Sequence, residues 1–167
     1  LENWTQETDI LEDLKSMNLD INFHCNPFTK LDAYDNNLNK TTINSEKPMF
    51  YLVRRGEAEN SLDQGLMKQA IDAGVEIKFN TVAKEEDCDI IAKGPTIADV
   101  IAKGITFETD MEDTAIGILD DDIAPKGYAY LLISKGHGCL VTVPFKHFHN
   151  EKLCFDKMMK KIDEIIK

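Results

Sequence analysis

GYAYLLISKGHGCLVTVPF, residues 127–145, contains two apolar runs, 127–134 and 139–145, on either side of a glycine-rich turn. Aromatic, aliphatic and β-branched residues fill both runs, which is typical of β-strands. Residues 105–109 and 114–120 have the same character and are bounded by acidic turns. Because consecutive strands joined by short turns pair antiparallel, we expect these four strands to form an antiparallel sheet.

A closing helix is predicted over residues 151–166, directly after this run of strands. Its apolar residues recur at helical spacing, and such a stripe is normally buried against another element. The residues of the stripe are Leu153, Met158, Met159, Ile162 and Ile166.

The amino-terminal part of the chain is less regular. A helix is predicted over 7–18, because its apolar residues fall on one stripe. Residues 22–48 are rich in Asn and Lys, contain Pro27 and Pro48, and favour irregular or weak edge structure. Residues 48–56 form an apolar, aromatic run that predicts a strand. The stripe of the helix consists of Ile10, Leu11, Leu14 and Met17.

Residues 61–80 predict a helix followed by a strand. Ser61 and Gln64 have the spacing of a capping box, and Gly74 is typical of the residue just beyond a helix end. The next six residues, 75–80, alternate strictly between apolar and polar side chains, which predicts a strand. We therefore expect an αβ unit with a tight glycine joint.

Residues 88–104 predict a strand, a turn and a helix. The apolar run 88–92 stops at Gly94 and Pro95, and Thr96 and Asp99 have capping-box spacing for a helix that ends near residue 104. Free backbone N–H groups at such a helix start can hold a phosphate or a carboxylate. The alternative is an ordinary strand–turn–helix joint, since the glycine spacing of a dinucleotide-binding turn is absent.

These elements predict an α+β fold in two parts. Residues 1–104 form an αβ region, and residues 105–167 form the antiparallel sheet with its closing helix. We expect the strands 75–80 and 88–92 to share one sheet region, separate from the sheet of 105–145.

Composition restricts the function. The 167 residues carry a net charge of −11, and no basic stripe interrupts the acidic surface, so nucleic acid is not expected as a partner. No apolar run is long enough for a membrane helix, and the acidic start differs from a signal peptide. We expect a cytoplasmic protein.

No metal site is expected from the sequence. The cysteines are far apart and form no Cys-x-x-Cys pair, which favours reduced thiols. His147 and His149 would alternate on one strand face, but no third ligand is spaced to complete a site. No Ser-His-Asp order or pair of catalytic carboxylates stands out either, so no catalytic residue is assigned. The cysteines are Cys25, Cys88, Cys139 and Cys154.

The order of several segments resembles the geranylgeranyl-reductase-like, FAD-dependent oxidoreductases, within the glutathione-reductase and hydroxybenzoate-hydroxylase superfamily. The segments are LENWT (1–5), YLVRRG…SLDQGLMKQAIDAGVEI (51–77), DIIAKGP (89–95), ITFET (105–109) and APKGYAYLLISKGHGCLVTV (124–143). The family's GxGxxG turn and Gly-Asp flavin motif are absent, so the chain resembles the middle of a longer protein. The isoprenoid reductases' Y-x-W-x-F-P signature is also changed, which leaves the substrate open.

The resemblance implies that FAD carries the redox chemistry and that the protein supplies the pocket around it. It places Arg54, Arg55 and Gly94 near the cofactor, where an arginine can bind a pyrophosphate or carboxylate through two hydrogen bonds. It places Tyr128 and Tyr130 at an apolar substrate. The alternatives are a solvated arginine pair and two aromatic residues of the sheet core.

Two functions remain open. The chain is either the substrate and cap portion of an FAD-dependent oxidoreductase, or a stand-alone α+β binding module without redox activity that recognises an apolar ligand or a protein. In the first case we expect the isolated chain to fold, to bind FAD weakly or not at all, and to be inactive. Apolar surface normally covered by the rest of the protein would then promote self-association.

Overall fold

The computed structural model describes residues 1–5, 7–94 and 96–166. Helices and strands are both present, so the fold is of the mixed α+β class. The chain divides into two compact units. The first unit comprises Leu1, Thr5–Cys25 and Val53–Ala98, and the second comprises Glu2–Trp4, Asn26–Leu52 and Asp99–Lys167. Within the described ranges, no helix has both the length and the apolar character required to span a bilayer.

A six-stranded mixed sheet dominates the second unit. Its strands are β2 (Lys30–Tyr34), β3 (Lys40–Asn44), β5 (Lys103–Glu108), β6 (Thr114–Ile118), β7 (Tyr128–Ser134) and β8 (His137–Val143). Their spatial order is β3-β2-β6-β7-β8-β5, and every neighbouring pair is antiparallel except β2 and β6, which run parallel. The four strands predicted after residue 104 are therefore confirmed.

The central hairpin β7–β8 is set by its turn. Lys135 and Gly136 both have positive φ, 50° and 79°, which is the conformation of a two-residue type I′ turn. This turn places Ser134 opposite His137, and the register continues to Tyr128 opposite Val143. The alternation of side chains along both strands then fixes which residues face the core.

The core of the second unit lies between one face of the sheet and helix α3 (Glu151–Ile165). Met158 and Ile162 of the helix pack against strand residues that include Ile118, Ile133 and Leu140. The predicted helix is confirmed, but its buried stripe runs through Cys154 while Leu153 and Ile166 are exposed. The stripe is rotated because Cys154, Met158 and Ile162 repeat every four residues and form one ridge.

The sheet differs from the prediction in two pairings. β5 lies at an edge beside β8, not beside β6, although β6 follows it in sequence. Residues 22–48, predicted to be irregular or weak edge structure, supply the hairpin β2–β3, and β2 is an interior strand beside β6. The predicted separate sheet of 105–145 is thus part of a larger one, because β2 satisfies the free edge of β6.

A small two-stranded sheet pairs β1 (Cys25–Phe28) with β4 (Phe50–Val53). The rings of Phe28 and Phe50 stack with centroids 5.2 Å apart. The strand predicted within 48–56 is therefore confirmed with a shorter extent.

The first unit contains α1 (Ile10–Ser16) and α2 (Leu62–Asp72). Helix α2 has one half of the predicted capping box, with Ser61 Oγ accepting from Gln64 N at 3.1 Å, whereas Ser61 N donates to Ala58 O at 3.0 Å; Gly74 has a φ of 90° beyond the helix end. The α1 helix is shorter than the predicted 7–18, and Met17 of its predicted stripe is exposed. Gly65 allows the segment around Asn22 to approach α2, where Asn22 Nδ2 donates to Gly65 O at 3.1 Å.

Three elements predicted between residues 75 and 104 are absent. Residues 75–80 and 88–92 form no strand, and no helix begins at Thr96; among the described residues of 75–102, the only regular element is the 3₁₀ turn Glu85–Asp87, and β5 begins at Lys103. The predictions relied on local pattern alone. Strands need partners for their backbone groups, and a helix this short is marginal without a packed face. No strand of either sheet comes from the described residues of these two stretches, and the side chains of Ile90 and Ile97 are exposed to solvent, so neither strand partners nor a packed helix face is present.

Candidate functional site: the open face of the sheet

The six-stranded sheet has two different faces. One face carries Leu131, Ile133 and Leu140 into the core beneath α3. The other face, which we call the open face, is formed by the alternate residues of the same strands, because successive side chains point to opposite sides. On β7 these residues are Tyr128, Tyr130 and Leu132.

Tyr128 and Tyr130 lie side by side on the open face, with ring centroids 6.2 Å apart. Tyr128 is 43% exposed and its ring meets that of Phe145 edge-on at 6.1 Å. Tyr130 is half-buried, and this burial raises the pKa of its hydroxyl. Both rings therefore lie on the side of the sheet opposite the buried stripe of α3, which leaves their surfaces available for contact.

The two strands beside β7 place residues of different size next to Tyr130. The register places Gly117 of β6 on one side of it and Val141 of β8 on the other. A Cβ at Gly117 would meet only Leu31 Cδ1, at 3.9 Å, so space is free above this position. Ala115 lies two residues earlier on the same face of β6. Ala115 is opposite Leu132 and is itself buried, so the low point directly beside Tyr130 is at Gly117.

Cys139 is also on the open face, opposite Leu132. Burial raises the pKa of its thiol, so the thiol stays protonated at neutral pH. A protonated thiol is a poor nucleophile. The open face therefore offers apolar contact and the Tyr130 hydroxyl for hydrogen bonding, and no activated nucleophile at Cys139.

Arg55 and Arg54, in the first unit, were assigned to a cofactor. Arg55 binds Asp63 through two hydrogen bonds, Nε to Oδ2 at 2.9 Å and Nη2 to Oδ1 at 3.1 Å. Gly56 N also donates to Asp63 Oδ2 at 2.7 Å. Together these contacts lower the pKa of Asp63 to about 2. Arg55 thus holds the start of α2, whereas Arg54 contributes its carbonyl to Leu62 N at 2.9 Å.

Gly94, the third assigned cofactor residue, lies in irregular exposed structure, and Pro95 lies outside the described residues. A Cβ at Gly94 would meet nothing within 4 Å, so no close backbone approach requires a glycine there. A pyrophosphate cradle needs the free N–H groups of a helix start. No helix starts at Thr96, and Arg55 is paired with Asp63, so Arg54, Arg55 and Gly94 do not together form such a cradle.

His147 and His149 do not alternate on a strand as predicted. His147 has a positive φ of 59° and precedes the 3₁₀ turn Phe148–Asn150, and the two rings meet edge-on at 6.2 Å. In the part of the chain that the structure describes, no three potential ligands among His, Cys, Asp and Glu come together to hold a metal.

The sequence prediction missed an ion pair at the end of α3. Lys161 Nζ binds Asp120 and also donates to Asn36 O at 2.8 Å, and both charged side chains are nearly buried. Asp120 lies at the end of the strand segment 114–120, next to one of the acidic turns. The signal was present in α3, because Lys161 falls seven residues after Cys154, on the buried stripe.

Comparison of the chain with protein-family models, with curated proteins and with solved structures finds no match. The resemblance to flavoproteins therefore rests on the sequence segments alone.

Proposed function

We propose that this chain is the substrate-binding and cap portion of an FAD-dependent oxidoreductase related to geranylgeranyl reductases. The open face of the sheet would receive an apolar substrate. The observation that carries this proposal is the placement of Tyr128 and Tyr130 on the face opposite α3, with Gly117 beside Tyr130. Two aromatic rings beside a glycine suit a flat or branched hydrocarbon, because most of the surface of the rings is apolar.

In this proposal the chain's own residues bind and orient the substrate, while FAD would supply the electron transfer. Because Arg54, Arg55 and Gly94 do not together form a pyrophosphate cradle, other parts of the protein would hold the cofactor. The exposed apolar residues of the first unit also support self-association. The acidic surface, with a net charge of −11, supports the expectation that nucleic acid is not a partner.

The substrate face is tested by titrating farnesol, a branched apolar alcohol, into the isotopically labelled chain and following backbone amide shifts. Shift changes are expected in β6, β7 and β8, and Tyr130→Ala should weaken binding by about tenfold, because it removes a ring that the ligand would cover. Gly117→Val should also weaken binding, because its side chain would occupy the space beside Tyr130, where a Cβ meets only Leu31 Cδ1 at 3.9 Å. Leu153→Ala, on the exposed side of α3, is the matched control and should leave binding unchanged.

A thermal melt of each variant separates loss of binding from loss of folding, and Gly117→Val keeps both tyrosines and adds a strand-favouring residue. Shift changes confined to other regions, or equal affinities for wild type and both face variants, would overturn the substrate face.

The flavin part of the proposal has its own test. Titration of FAD into this chain, followed by flavin fluorescence, should show weak binding or none, and stoichiometric binding at low micromolar concentration would contradict the expectation that other parts of the protein hold the cofactor. The second candidate, a stand-alone binding module, is favoured because the described residues of 88–102 form neither the predicted strand nor the predicted helix. Purifying the complete product of the reading frame distinguishes them: flavin absorbance supports the oxidoreductase, and its absence supports the module.

A further inference from the structure

Residues 75–80, VEIKFN, have the side-chain pattern of a strand but no strand partner in this chain. Val75, Ile77 and Phe79 alternate with Glu76, Lys78 and Asn80. The three apolar side chains are 52%, 37% and 69% exposed, respectively. Beyond Val75 N, which donates to Ala70 O at 2.9 Å, the backbone hydrogen bonds that join described residues in this stretch begin again only at Asp87. At its end Phe79 O accepts from Thr81 Oγ1 at 3.0 Å and Asn80 has a positive φ of 53°, so Phe79 and Asn80 form a turn that must become extended on pairing. The segment therefore combines an apolar edge with N–H groups at 76–80 that donate to no backbone carbonyl of a described residue.

We propose that this segment pairs with the same segment of a second copy of the chain, as two antiparallel strands related by a twofold axis at Ile77. In that register Ile77 faces its own copy, Val75 faces Phe79, and Glu76 faces Lys78. The symmetry repeats each of the last two pairs. All apolar residues then fall on one face and all charged residues on the other.

Charge complementarity selects this register. The two Glu76–Lys78 pairs bring opposite charges directly across the strands, which stabilises the pairing. A shift of one residue would place Ile77 opposite Lys78 and mix the two faces. A shift of two residues would place Lys78 opposite its own copy, and parallel in-register pairing would oppose like charges at both positions. The charged groups are available, because Glu76 and Lys78 are 79% and 65% exposed and are 3.5 Å apart within one chain.

The interface would be of limited strength. Two short strands alone are marginally stable, so a dimer that dissociates readily on dilution is expected. Residues 75–80 belong to the first unit and the tyrosines to the second, so this proposal and the substrate face are tested on different residues.

Charge reversal tests the pairing by sedimentation equilibrium. Glu76→Lys and Lys78→Glu should each raise the dimer dissociation constant by about tenfold, because each replaces two attractive pairs with two repulsive ones. The double variant Glu76→Lys/Lys78→Glu should restore it, since opposite charges face each other again and the net charge is unchanged. Lys84→Glu and Glu86→Lys alter an equally exposed pair outside the segment and should have little effect.

Cysteine cross-linking tests the position of the axis. With Ile77→Cys, the two copies of the residue would be about 5 Å apart at Cα, within disulfide range. With Phe79→Cys, the copies would be about 13 Å apart, too far for a disulfide. Under oxidised glutathione the first variant should give covalent dimer much faster than the second, with the native cysteines present in both. Equal rates, a wild-type chain that stays monomeric at high concentration, or a double variant that fails to restore the dimer would each overturn the proposal.

Discussion

Residues 114–143 and residues 75–102 are both rich in large apolar side chains, yet only the first region buries them. Ile118 and Ile133 are 0% exposed, whereas Ile90 and Ile97 are 85% and 81% exposed. In the first region each strand has a hydrogen-bonded neighbour on both sides, and α3 covers one face. In the second region no described residue belongs to a strand or an α-helix. Burial thus depends on a partner for the backbone and on a layer that covers the side chains.

The largest expected effect comes from making the same substitution in both regions. Ile118→Ala should lower the free energy of unfolding by about 2–5 kcal/mol, because it leaves a cavity in the core. Ile90→Ala should change it by less than about 0.5 kcal/mol, since the side chain is already in solvent. Urea denaturation followed by circular dichroism measures both. Similar losses for the two variants would show that residues 75–102 are packed in solution.

A pair of glycines gives the next largest contrast. In Gly127→Ala the new methyl group would overlap the carbonyl oxygen of Val143, a backbone atom that cannot rotate away, so a loss of about 1–3 kcal/mol is expected. In Gly94→Ala the methyl group meets nothing, and a small gain of about 0.4–1 kcal/mol is expected, because alanine restricts the unfolded chain. Urea denaturation of both variants is the measurement. A clear loss for Gly94→Ala would indicate a backbone conformation or close contact that requires the glycine.

The smallest effect concerns the start of α2 in the first unit. Folding lowers the pKa of Asp63 from 3.8 to about 2, through its bonds to Arg55 and Gly56. The ionised carboxylate therefore stabilises the fold at pH values above 3.8, the pKa of the unfolded state, and this contribution is lost as the pH falls from 3.8 towards 2. The unfolding free energy of Asp63→Asn should depend less on pH in this window than that of the wild type. Glu57→Gln, in the same loop, is the control, and identical profiles for wild type and Asp63→Asn would contradict the pairing.

The candidate site was only partly predictable. Alternation along β7 was enough to place Tyr128 and Tyr130 on the same face, but not to tell which face α3 covers, because that choice depends on how distant elements pack. The role of Arg55 depended on Asp63, whose carboxylate lies eight residues away and is reached only once α2 has formed. The space beside Tyr130 depends on the neighbouring strand, since Gly117 is brought there by pairing alone.

The sequence by itself determined the elements that are specified by neighbouring residues. Ser61 and Gly74 limit α2, Lys135 and Gly136 form the turn that joins β7 to β8, and strict alternation marks the strands around it. Tertiary structure alone decided that β5 pairs with β8, that β2 lies parallel to β6, and that residues 75–102 remain without a sheet. Caps and turns are satisfied within a few residues, whereas a strand is stable only when a distant segment supplies its hydrogen bonds and its covering layer.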